Sequence, residues 1–304
     1  MVPRTQFQIR DLEEFSGVKA HTIRIWEKRY NLLEPARTDT NIRTYGINDL
    51  RTILNVAYLN RQGHKISRIA SLDPAAREKL VNETALAEKS GEGTLTSLKM
   101  AMLGFDEVLF DNVEAKYRET NGFDRVVEDL YLPLLEHIGV LWQTSAICPA
   151  HEHFISNIIR HKLIAAASAI PLRSVPRTTT YILFLPPDEL HELSLLYVNL
   201  LLRREGHRTI YLGQSVPIED LRQLTGSPIQ HHIFITSLTS FPALPELERM
   251  IHELAAMLPA DHNTIWLAGR RTAELDPAKL PKGVMVFHDL NSMRTLLAKG
   301  SSGG

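Results

Sequence analysis

The sequence predicts a multidomain protein: an all-α helix-turn-helix head, a helical bundle, and an α/β domain built on a Rossmann-like parallel sheet. Three observations carry that prediction. Near the N-terminus, two short helical runs are joined by a turn containing glycine. The middle repeats apolar residues at i, i+3 and i+4 with no β-like alternation. The last third alternates short apolar strands with helical runs, the pattern of a parallel sheet covered on both faces. A chain of 304 residues has room for this division, because single cores seldom grow past about 250 to 300 residues.

Composition narrows the function classes. No uninterrupted apolar run approaches the ~20 residues that span a bilayer, and the N-terminus lacks the apolar core of a signal peptide. A cytoplasmic protein with no membrane partner is expected. The single cysteine, Cys148, excludes an internal disulfide framework and a Cys-rich zinc cluster. The net charge of -1 conceals an uneven spread: residues 1–72 hold 12 Lys/Arg against 7 Asp/Glu, a net +5, which leaves the remainder acidic. A basic head on an acidic body points to an anionic partner at one end.

In the head, residues 6–72, Gln8 to Phe15 has helical spacing with Ile9, Leu12 and Phe15 on one face, and Ser16-Gly17-Val18 breaks it. Ala20 to Tyr30 follows as the second helix, the one that enters the major groove in a helix-turn-helix. Ile23 and Trp26 can face the core. His21, Thr22, Arg24, Lys28 and Arg29 fall on other faces, where they can meet base edges and phosphates; a generic amphipathic pair with a solvated basic face fits the same pattern. The segment Arg24-Ile25-Trp26-Glu27-Lys28-Arg29-Tyr30-Asn31-Leu32-Leu33-Glu34-Pro35-Ala36-Arg37, then Asn41-Ile42-Arg43-Thr44-Tyr45 and Asn48-Asp49-Leu50, resembles the winged-helix DNA-binding domain of MerR-family transcription regulators. That resemblance implies a wing pressed on the DNA backbone, with Arg37, Arg43 and Tyr45 as phosphate contacts, and a homo-oligomer, dimer or tetramer, on a near-palindromic double-stranded operator. Asp49 to Gln62 and Lys65 to Ala70 complete the head.

Asp73-Pro74 closes the head, and residues 73–93 read as a helical or flexible linker. Leu95 to Tyr117, Phe123 to Leu141 and Glu152 to Ala169 read as amphipathic helices of a small bundle over 94–170. Pro133 falls inside the second and is expected to kink it. Trp142 is followed after nine residues by Glu152-His153. As side chains alone these read as a core aromatic and a helix-opening acid. Trp-x9-Glu-His also resembles the motif by which the bundle of CarH/LitR-like regulators caps the upper face of a cobalamin.

In the tail, residues 178–300, strands are expected at Thr179 to Leu185, Thr209 to Leu212, His232 to Thr236, Thr264 to Ala268 and Val284 to His288. Helices are expected at Leu193 to Glu205, Ile218 to Leu224, Leu244 to Leu258, Thr272 to Leu280 and Ser292 to Ala298. Ligands of such sheets bind outside the carboxyl ends of the strands. Three loops converge there: Pro186 to Glu192, Ser237-Leu238-Thr239 and Ala268-Gly269-Arg270. A histidine on such a loop, His191, can hold a borderline metal, although a lone histidine beside acidic residues is more often solvated and idle.

The tail resembles the cobalamin-binding domain of the methionine synthase and CarH type. The resemblance makes His191 the lower axial ligand to cobalt, Glu189 the group orienting its ring, and Ser237, with Leu238 and Gly269, part of the lower-face site. Three positions depart from the pattern. Ser194 and Arg270 stand where the family has glycine, and Gln143 where the light-sensing members have a histidine that takes the upper cobalt face.

The reading is a DNA-binding transcription regulator, a repressor, whose C-terminal half senses cobalamin, adenosylcobalamin or methylcobalamin, in the manner of a light sensor or without light. The alternative keeps the architecture without the cofactor, the C-terminal half serving oligomerisation or an antirepressor protein. An enzyme is not expected. Cobalamin-dependent mutases and methyltransferases need a substrate domain for which there is no room, and no Gly-x-Ser-x-Gly elbow or His-Glu-x-x-His run is present.

Overall fold

The computed structural model describes residues 6–38, 40–87, 92–143, 147–171, 179–225, 231–240, 244–258, 261–289 and 292–293. The chain falls into two compact units, 1–158 and 159–304.

In the first unit, α1 (Ile9–Ser16) and α2 (Ala20–Tyr30) form the expected helix pair. Asp11 accepts from the Gln8 amide at 2.6 Å and so starts α1, and Gly17, at φ +70°, supplies the left-handed residue that ends it. Glu13 then serves the next helix, accepting from Ala20 N at 3.0 Å and Lys19 Nζ at 3.0 Å. Helix α3 (Ile47–Arg61) buries Leu50, Ile53, Leu54 and Ala57, as α1 buries Leu12 and Phe15 and α2 buries Ile23 and Trp26. A small antiparallel sheet, β1 (Gln6–Phe7), β2 (Ala36–Arg37) and β3 (Arg43–Gly46), is ordered β1-β3-β2 and forms the wing. Helix α4 (Ile66–Ala70) ends the head.

Within residues 73–93, α5 spans Pro74–Ala87. The single helix expected over Leu95 to Tyr117 is corrected to two, α6 (Glu92–Gly104) and α7 (Glu107–Asn121). Phe105 sits at φ +51° between them, and Asp106 accepts from Leu109 N at 2.9 Å to cap the second. Continuous apolar spacing hid this break. Next come α8 (Phe123–Arg125), a π-helical stretch at Val126–Tyr131, and α9 (Leu132–Gln143). Pro133 has no N–H, and the chain meets that loss by widening one turn rather than by stopping. Helix α10 (Pro149–Ser168) follows and runs on into the second unit.

His137 on α9 is held down to about 4 by burial, with Lys99 adding to it. The folded state therefore stays neutral between about pH 4 and 6.5 while the unfolded chain takes up a proton, so stability falls as pH drops through 6.5 and levels off below 4. Urea melts over that range should show the loss, and His137→Gln should flatten it.

In the second unit, five parallel strands are ordered β5-β4-β6-β7-β8: β4 (Thr179–Phe184), β5 (Arg208–Gly213), β6 (His231–Ser237), β7 (Asn263–Ala268) and β8 (Val284–Val286). Alternation assigns the faces. Tyr181, Leu183, Ile233, Ile235 and Trp266 pack with Leu195, Val198 and Leu202 of α11 (Leu193–Arg204). Ile182, Phe184, Phe234, Ile265 and Leu267 pack with Leu247, Ile251 and Leu254 of α12 (Leu244–Met257). The helix expected at Ile218 to Leu224 is a 3-10 segment, Ile218–Thr225. That expected at Thr272 to Leu280 is two 3-10 pieces, Arg270–Glu274 and Pro277–Lys279, because Asp276 caps Ala278 N and Pro277 restarts the chain. Of Ser292 to Ala298, only residues 292–293 lie within the described residues.

Candidate functional site

The strand order turns back between β4 and β6, the first and third strands of this sheet, and ligands of doubly wound sheets settle at that switch point. The loop after β4 and the loop after β6 meet there through one side chain. Glu189, fully buried, accepts from Thr239 N at 3.0 Å and Ser240 N at 2.7 Å with Oε2. With Oε1 it accepts from Leu190 N and His191 N at 3.0 Å each and from His191 Nδ1 at 2.6 Å. A carboxylate on Nδ1 holds the proton there and leaves the lone pair on Nε2, the state in which imidazole ligates a metal. The His191 side chain is 56% exposed. A single imidazole suits a metal that arrives with its other ligands in place, so the residues present fit a corrinoid cobalt. Next to it, Leu190 presents an apolar side chain that is 59% exposed.

The other expected site residues are less uniform. Ser237 is buried and shares a 2.9 Å hydrogen bond with Ser194, so the hydroxyl that departs from the family glycine bridges α11 to β6. Leu238 is corrected: its side chain lies in the core on the α12 face, and only its backbone serves the loops. Gly269, at φ +97°, lets that backbone pass. Arg270 is exposed. The side chains of Trp142 and Gln143 lie outside the described residues. Glu152 and His153 open α10, with His153 Nδ1 3.5 Å from Glu152 Oε2 and its side chain 72% exposed. His151, beside Glu152, is buried. It stacks on Phe105 at 4.6 Å, lies 3.3 Å from Cys148 Sγ, and is shifted down by burial.

In the head, His21, Arg24, Lys28 and Arg29 are exposed on α2, with Thr22 half-buried beside them. The expectation for Tyr45 is corrected. Its ring is fully buried, and its hydroxyl donates to Glu27 Oε2 at 2.9 Å. Burial and Glu27 both push that phenol up, so it remains a donor. Arg43 meets the same carboxylate through Nε at 3.0 Å while its side chain stays 42% exposed. Glu27 thus ties the wing to the recognition helix. Arg37 donates to Asn41 Oδ1 at 2.6 Å across the wing turn. Two aliphatic residues that the sequence reading passed over, Ile25 on α2 and Ile42 on the wing, are each 54% exposed.

Comparison with known proteins agrees with both halves. Residues 7–75 match the MerR HTH family regulatory protein model, and residues 94–166 match a B12 binding domain. The chain is 30% identical over 279 residues to the HTH-type transcriptional repressor CarH of Myxococcus xanthus, covering 88% of this chain and 90% of that protein. The chain belongs to the MerR family. It is 28% identical to the HTH-type transcriptional repressor CarA of the same organism, over 71% of this chain and 70% of that one. As a fold, this MerR-family protein resembles the monomethylamine corrinoid protein of Methanosarcina barkeri, at 11% identity and a TM-score of 0.50 over 68% of this chain and 98% of that one. It is a DNA-binding transcription regulator with a B12 binding domain, not an enzyme. No helix among the described residues is long and apolar enough to cross a membrane.

Proposed function

We propose that this regulator is a repressor whose DNA affinity is set by an alkylcobalamin, adenosylcobalamin or methylcobalamin, with His191 as the lower cobalt ligand. The observation that carries the reading is the buried Glu189 carboxylate holding His191 Nδ1 at 2.6 Å at the sheet's switch point. In this reading Glu152, His153 and Trp142 contact the cofactor from the bundle, and residues 6–72, 73–93, 94–170 and 178–300 are its functional segments. Bound there, the cofactor would supply a metal for His191 to ligate, and a cofactor with higher affinity for one of two conformations of the protein would shift it toward that one. Gln143 is an amide and a poor cobalt ligand, and His151 is engaged in its own core, so the favoured signal is cobalamin rather than light.

Methylcobalamin added in the dark and followed by desalting should leave corrin absorbance on the protein. Its complete loss on desalting would count against the reading and favour the cofactor-free alternative, to which the Ser194–Ser237 hydrogen bond lends support by engaging Ser237 with a side chain that stands where the family has glycine.

On DNA, a homodimer on a near-palindromic operator fits the helix-turn-helix geometry. Phosphate contacts from Arg37 and Arg43 supply affinity and salt dependence, and Arg24 reads sequence. Footprinting at two salt concentrations should show Arg43→Ala weakening all sites alike and flattening the salt slope by about 1, and Arg24→Ala changing sequence preference. Identical behaviour of the two would refute this division.

A further inference from the structure

Glu192 follows the proposed ligand directly, yet its side chain is 5% exposed. Two elements reach that carboxylate. Tyr211, on β5, donates its hydroxyl to Oε2 at 2.7 Å. Arg160, on α10, meets Oε1 through Nε as an ion pair. The two atoms lie off the line of an aligned hydrogen bond, so the attraction there is mainly coulombic. Burial and Glu192 push the Tyr211 phenol up, which keeps it protonated and donating. The same loop has further ties to the end of β5: Gln214 Nε2 donates to Leu190 O at 2.6 Å, and Asp188 N to Ser215 Oγ at 3.3 Å.

An ion pair with its carboxylate buried and its guanidinium 42% exposed is weak evidence for stability. Its position is what distinguishes this one. It clamps the backbone at the residue after His191, while Glu189 clamps the residue two before it. Arg160 lies on α10, the helix whose first turn carries Glu152.

We propose that Arg160 and Tyr211 are positioning residues for His191: by holding Glu192 from two sides they set where the imidazole stands, and hence whether it ligates cobalt. The proposal rests on His191 being that ligand. Fixing a ligand's surroundings in this way is typically worth about 10- to 100-fold in metal affinity.

The test uses the full chain with methylcobalamin in the dark, read by visible spectrum and by titration. Arg160→Leu is expected to weaken binding at least ~10-fold and to shift the bound spectrum toward that of His191→Ala. Arg160→Lys is expected to restore most of both. In a His191→Ala background, Arg160→Leu should change the spectrum no further. Tyr211→Phe removes one hydroxyl from an otherwise unchanged ring and should shift the spectrum in the same direction, so the idea remains testable if Arg160→Leu does not fold. A wild-type spectrum and affinity in folded Arg160→Leu, or in Tyr211→Phe, while His191→Ala is altered, would overturn the positioning role alone. A wild-type spectrum in His191→Ala would overturn the ligand assignment, and this role with it.

Discussion

Gly269→Ala is expected to destabilise the second unit by about 3 to 5 kcal/mol, and to remove cobalamin binding with it. The residue sits at φ +97° and ψ 166°, a region that is nearly glycine-only, and placing a side chain there costs about 1–3 kcal/mol. A Cβ would also stand 2.5 Å from Leu238 O, 2.7 Å from Leu238 N and 2.9 Å from Leu238 C. These are backbone atoms and cannot rotate aside, so overpacking adds about another 1–3 kcal/mol. Leu238 cannot retreat cheaply either. Its N–H donates to Ala268 O at 2.8 Å and its carbonyl accepts from Arg271 N at 3.1 Å, interleaving the loops after β6 and β7. Against a typical stability of about 5–15 kcal/mol, the loss is a large share of the total. Urea unfolding of Gly269→Ala beside the wild type measures it, and a shift below about 1 kcal/mol would show that the two loops can separate without cost.

Much of this architecture is legible in the sequence because its signals are local. Ile23 and Trp26 recur at helical spacing, and both are buried on α2. The apolar run from Tyr181 to Leu185 reads as a strand covered on both faces, and alternate residues do divide between two core clusters. The place of His191 at a strand's carboxyl end follows from counting strands. What escaped were contacts between residues distant in sequence. Nothing in Glu27-Lys28-Arg29 shows that Glu27 will bind Arg43 and Tyr45 across the wing, and so withdraw Tyr45 from the surface. Glu192 reads as a solvated neighbour of the ligand until folding brings Arg160 and Tyr211 to it. The break at Phe105 was hidden for another reason. A single left-handed residue interrupts a helix without disturbing the apolar spacing on either side.

Glu189→Ala and His191→Ala are expected to behave differently in stability, although both should alter the bound cobalamin spectrum. His191 is more than half exposed, so its truncation should move the urea-derived stability by no more than about 0.5 kcal/mol. Glu189 is fully buried and accepts from four backbone N–H groups as well as the imidazole. Removing it strands donors from two loops, and each buried donor left without a partner costs about 1–3 kcal/mol. Relaxation and entering water recover part of that, which leaves an expected loss of about 3 kcal/mol. Glu189→Gln tests the charge at constant shape. Whichever way the amide turns, its NH2 group faces N–H donors, either those of Leu190 and His191 or those of Thr239 and Ser240. A substantial part of the loss should therefore persist, with cobalamin binding about 10- to 100-fold weaker. If Glu189→Gln instead matches the wild type in both stability and bound spectrum, hydrogen-bond acceptance by two oxygens is not what joins the loops. The histidine would then owe its orientation to some other contact.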